Sequence, residues 1–148
     1  MTDQLFRFYD ALANEQFLME YLDEDSWNAL LAVAEKFQFA AGDTIFEVDD
    51  ATRLMYILVE GTVEVLVDED GSARPKCIDT IEAPNVFGEQ TFLDGGPRTA
   101  RIAARTDCTC HCLRIGGLQQ LIRQNPGLAS VFLFDLARVL SLRFRAWQ

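Results

Sequence analysis

The sequence predicts a mainly β fold with flanking helices, a closed antiparallel roll or sandwich between helical ends. Three observations carry it. Short β-rich runs follow one another from Gly42 to Ile115, punctuated by Gly, Asp and Pro. The segments before and after them carry apolar residues near helical spacing instead. The chain has 148 residues, about half of them apolar, enough for one domain with a real core.

Residues 1–40 read as helical. In LFRFYDALANEQFLMEYL, Leu5, Phe8, Leu12, Phe17 and Tyr21 fall near one face. DEDSWNALLAVAEKF follows, with an acidic start that suits a helix N-terminus and a stripe of Leu30, Val33, Ala34 and Phe37. The acidic residues of both segments read as a solvated face.

Residues 41–115 read as strands: GDTIFEV, RLMYILVE, GTVEVLVDED, KCIDTIEA, RIAAR and CTCHCLRI. A polar turn with Asp70-Gly71 and Pro75 joins two of them. In the last, Cys108, Cys110 and Cys112 point to one face of a strand and read as buried thiols. Zinc sites use wider spacings, so no metal is expected there.

Residues 116–148 return to helix. GLQQLIRQ ends at Asn125-Pro126, since proline disfavours helix just before it. GLASVFLFDLARVLSLRFRAWQ then runs on without a breaker. Leu128, Val131, Phe132, Val139 and Leu140 form one apolar stripe; Leu133, Leu136, Leu140, Phe144 and Trp147 form a second. A helix apolar on two sides is usually covered on two sides. One domain is expected, with no internal repeat.

The totals exclude several functions. Formal net charge is −10, against the basic face that wrapping DNA requires. No apolar run reaches the roughly 18 residues of a membrane span, and the acidic N-terminus is unlike a signal peptide. The expected location is the cytoplasm, without a membrane partner. His111 is the single histidine, which rules out a histidine-rich metal site and leaves no argument for a nucleophile triad. The chain is not expected to be an enzyme.

One stretch has the logic of a phosphate site. FGEQTFLDGGPRTA (87–100) joins Gly88-Glu89 to a turn, Asp94-Gly95-Gly96-Pro97, and then Arg98. Glycine permits close approach of a ligand to the backbone. A helix starting after Gly88 would present free N–H groups to an anion. Arg98 adds a fork of donors for phosphate oxygens. Glu89 repels a phosphate but suits a neighbouring hydroxyl as its acceptor. The expected ligand is an anion with an adjacent diol-like donor, such as a nucleotide. A plain β-turn with a surface ion pair is the competing reading of the same residues.

In these residues the sequence resembles the cyclic-nucleotide-binding domain family, whose phosphate-binding cassette looks like F-G-E followed, after a short turn, by P-R-x-A. FGE stands at 87–89 and PRTA at 97–100. GDTIF at 42–46, MYILVEGTVEV at 55–65, RIAARTDC at 101–108 and NPGLASVFLFDLARVLSLR at 125–143 are similar to the family's other signatures, in the same order. The resemblance implies an eight-stranded antiparallel, jelly-roll-like β-roll with N-terminal helices and a long C-terminal helix. It implies cAMP or cGMP as ligand and no further cofactor. By the same resemblance Gly88, Gln90 and Thr91 offer backbone donors, Glu89 takes the ribose 2′-hydroxyl, Arg98 the cyclic phosphate, and Thr99 lies near guanine or phosphate. Gln90, Thr91 and Phe92 stand where the family has an aliphatic residue, Ala or Ser, and Leu. The expected role is a sensor without its own output domain, acting through its C-terminal helix on a second copy or an unknown protein. The alternative is a ligand-free roll serving as an interaction domain.

Overall fold

The computed structural model describes residues 23–146; the expected helix over residues 5–22 and Trp147 lie outside them. The described residues divide into two compact units, 34–115 and 23–33 with 116–146.

The first unit is an eight-stranded antiparallel roll, as expected. Its strands are β1 (Glu35–Phe39), β2 (Thr44–Phe46), β3 (Leu54–Glu60), β4 (Thr62–Val67), β5 (Lys76–Glu82), β6 (Asn85–Phe87), β7 (Arg101–Ala104) and β8 (Cys108–Arg114). They form two four-stranded sheets, ordered β1-β8-β3-β6 and β2-β7-β4-β5. Every pairing among these strands is antiparallel, and along each strand successive side chains point to opposite faces. The core takes Tyr56, Leu58 and Phe87 with Cys108, Cys110 and Cys112 from the first sheet. From the second it takes Phe46, Val63, Ile81, Ile102 and Ala104. The three cysteines of β8 are buried, as their spacing predicted, while Thr109 and His111 between them are half-buried. Cys77 on β5 is exposed.

Gly61 makes the β3–β4 turn possible. Its φ is +98°, and a Cβ there would lie 2.3 Å from the Asp107 carbonyl oxygen and 2.7 Å from the Cys108 Sγ. No side chain fits.

The other unit contains α1 (Glu24–Leu31), α3 (nearly all of Ile115–Gln124) and α4 (Pro126–Ala146). The Asp23 carboxylate caps α1, accepting from the Ser26 N–H at 2.8 Å. The Asn125 side chain accepts from the Leu128 N–H at 3.2 Å, and Pro126 follows it at the first helical position, where no N–H is needed. On α4, Leu128, Phe132, Leu136 and Val139 are buried, while Leu133, Leu142 and Phe144 are exposed.

One expectation is corrected. The helix ends at Leu31 with Ala32 as its C-cap, so Val33, Ala34 and Phe37 do not extend its stripe. Phe37 lies on β1, paired with Cys110, and is exposed. EKFQF obeys two periods at once: Phe37 continues a helical stripe, yet Phe37 and Phe39 also alternate as on a strand. The open ladder of β8 decides for the strand, because only that pairing satisfies β8's backbone groups on this side.

Candidate functional site

The stretch 87–100 folds as one turn of structure between β6 and β7. β6 ends at Phe87, and Gly88 takes a left-handed conformation, φ +75°, that swings the chain into α2 (Glu89–Asp94). Gly88 occupies the N-cap and has no side chain with which to cap the first helical N–H groups. Gly95, also left-handed at φ +74°, ends the helix, its N–H donating to the Thr91 carbonyl at 2.9 Å.

Arg98 returns under this turn. It is only 4% exposed, in a chain whose other cations are mostly at the surface. Its Nη1 donates to the Gly88 carbonyl at 2.7 Å, and its Nη2 to the carbonyls of Thr52 at 3.1 Å and Leu54 at 2.6 Å. The guanidinium carbon lies 4.2 Å from the centroid of the Phe46 ring. Phe46 in turn stands 5.9 Å from Tyr56 and 6.3 Å from Phe87, which stack with ring centroids 4.8 Å apart. The arginine therefore rests on an aromatic floor and faces a rim of carbonyls. Its Nε is buried with no hydrogen-bond partner among the described residues. A buried unpaired donor is costly, and an anionic oxygen would satisfy it.

The electrostatics agree. Burial pulls the Arg98 pKa down from its ordinary value, and Tyr56, Asp50 and Glu89 oppose that pull. Asp50 is held below the usual carboxylate range, first by the Thr52 N–H, which it accepts at 2.8 Å, and in smaller part by Arg98. Burial pushes the Tyr56 hydroxyl up to about 12.

Of the residues singled out in the sequence, Gly88 and Arg98 are joined directly, and Glu89 is buried within electrostatic reach of Arg98. Thr91 is buried in α2. Gln90 and Thr99 are exposed. Phe92, bulkier than the leucine of the resembling motif, is fully buried. Sequence reasoning missed Phe46, Tyr56, Asp50 and the loop carbonyls of Thr52 and Leu54. These lie 42 to 52 positions before Arg98, and no local spacing announces them.

The β2–β3 loop is tied to the same stretch by its backbone. The Asp49 N–H donates to the Arg98 carbonyl and the Arg98 N–H to the Asp50 carbonyl, both at 2.9 Å.

Comparison with known proteins gives a consistent result. The family model of the cyclic nucleotide-binding domain matches residues 36–125. A cAMP-dependent protein kinase regulatory subunit of Dictyostelium discoideum is 29% identical over 101 residues, 68% of this chain and 30% of that protein. Cyclic GMP-binding protein C of the same organism is 27% identical over 124 residues, 84% of this chain and 5% of that protein. The chain thus spans a minor part of either relative. Among solved structures, the N-terminal domain of a transcriptional regulator from Streptomyces coelicolor A3(2) superposes with a TM-score of 0.73 at 28% identity, covering 90% of this chain and 92% of that one.

Proposed function

Because the chain belongs to the cyclic nucleotide-binding domain family, we propose that it binds cAMP or cGMP and serves as a regulatory module rather than a catalyst. Arg98 holds the cyclic phosphate. Glu89 accepts from the ribose 2′-hydroxyl, and Gly88, Gln90 and Thr91 offer main-chain N–H groups. Thr99 lies at the exposed edge, toward guanine or phosphate. The observation that carries this reading is the unpartnered Arg98 Nε, buried beside a helix start without a side-chain cap. The two relatives, a cAMP-dependent protein kinase regulatory subunit and a cyclic GMP-binding protein, support either nucleotide.

Calorimetry with cAMP and cGMP tests it. Saturable micromolar binding is expected, weakened about 10- to 100-fold by Arg98→Ala, the range of a charge-assisted hydrogen bond. Binding that survives the substitution would remove Arg98 from the phosphate.

A second reading, a ligand-free roll that acts as an interaction domain, draws on one observation: Arg98 already gives three of its N–H groups to carbonyls. Absence of binding by either nucleotide to the unmodified chain would favour it.

The output is assigned to α4, whose exposed Leu133, Leu142 and Phe144 suit a second copy or a partner protein. Saturating nucleotide should change amide exchange along residues 126–146. Unchanged protection there would remove α4 as the reporting element.

A further inference from the structure

Arg53, which lies outside the recognised motif, makes contacts reciprocal to those of Arg98. Its Nε donates to the Phe92 carbonyl at 3.1 Å and its Nη2 to the Leu93 carbonyl at 2.9 Å. These are last-turn carbonyls of α2, which have no partner within the helix. The Thr91 carbonyl is taken by the Gly95 N–H, and Arg53 takes the two that follow it. α2 has no basic residue of its own in its last turn, and a cation there is favoured by the helix dipole. Two adjacent carbonyls match the planar fork of a guanidinium and not the single point of an ammonium. The stem of Arg53 runs past Gly95: a Cβ there would stand 3.6 Å from the Arg53 Cδ, at ordinary contact distance.

The two arginines run in opposite directions across one seam. Arg98 leaves the cassette and binds the carbonyls of residues 52 and 54, on either side of Arg53. Arg53 leaves that loop and binds the far end of α2.

We infer that Arg53 is a positioning residue for the nucleotide site, clamping the carboxyl end of α2 to the β2–β3 loop so that the N–H groups at its other end stay aimed at the phosphate. The inference rests on the nucleotide reading above. When a phosphate draws on Arg98, the grip of Arg98 on Thr52 and Leu54 loosens. Arg53 and the backbone pair at Asp49 and Asp50 then keep loop and helix in register. A helix held in place before the ligand arrives need not be ordered on binding, which is how the clamp raises affinity.

The test uses the full chain with Arg53→Ala and Arg53→Lys. Binding of cAMP and cGMP is followed by calorimetry, local order by amide exchange, and global stability by thermal melting. Arg53→Ala should weaken the bound nucleotide about five- to tenfold, the effect of losing one or two net hydrogen bonds. Exchange should quicken over residues 89–95 alone, with little change in melting temperature, because Arg53 is exposed. Arg53→Lys should regain less than half of the lost affinity, since charge returns without the fork. Unchanged affinity with unchanged exchange over 89–95 overturns the inference. So does faster exchange throughout the roll with a lowered melting temperature, the mark of a structural role only. If the unmodified chain binds neither nucleotide, the nucleotide reading fails, while exchange over 89–95 still decides whether Arg53 clamps α2.

Discussion

Arg98 is held by partners that few sequence patterns could reveal: three main-chain carbonyls and the face of Phe46. Gly88 is the residue on which that arrangement turns. A Cβ at Gly88 would lie 2.9 Å from the Arg98 Nη1, 3.2 Å from the Tyr56 ring and 3.3 Å from the Leu54 carbonyl. Arg98 is tethered at both ends and has little freedom to retreat. Gly88→Ala also places alanine in the left-handed region, at a cost of roughly 1–2 kcal/mol. Nucleotide affinity should therefore fall about tenfold or more, with a modest drop in melting temperature; calorimetry beside a thermal melt measures both. Wild-type affinity in this variant would show that the site does not depend on the space and left-handed conformation that glycine provides at position 88. At this scale the two ends of the site, FGE and PRTA, were legible in the sequence because they are contiguous motifs. Phe46, Tyr56 and Arg53 were not, because sheet pairing and loop closure bring them in from far along the chain.

Among elements, β8 shows how a strand's period organises chemistry. Its inward thiols sit in the core, and burial pushes Cys110 and Cys112 up to about 12 from an ordinary 9.0. Tyr56, opposite Cys112 on β3, rises to about 12 from 10.0. The folded chain thus keeps protons that the unfolded chain releases. Stability from these groups is complete below about pH 9 and is lost as pH rises from there toward about 12. Thermal melts across that interval should show a falling midpoint, and Cys110→Ala should make the fall shallower. A slope unaffected by the substitution would mean that this thiol is not held protonated. The thiol strand was legible because C-x-C-x-C alternates cleanly. β1 and β6 were not: β6 has three residues, too few for a period, and β1 carries a stripe that a helix could share. Pairing with β8 and β3, invisible from local sequence, made both of them strands.

For the whole molecule, the order helix, roll, helix was readable from changes in hydrophobic period near Gly42 and after Ile115, although the roll already begins with β1 at Glu35–Phe39. Charge was readable too, but only as an exclusion. A net charge of −10 would repel an anionic ligand at long range, so attraction must be local. Burial of one arginine provides it, since the buried guanidinium is weakly screened while most of the chain's carboxylates lie at the surface. Among the described residues, no helix is long and apolar enough to cross a membrane. The carbonyls around Arg98 have one more consequence, for how such a chain can drift over generations. Side chains at 52 and 54 can be exchanged without deleting an acceptor, because every residue carries the same oxygen there. The inner wall of the site is thus shielded from point substitution by being written in backbone, and hereditary change is steered toward exposed side chains such as those at 90 and 99.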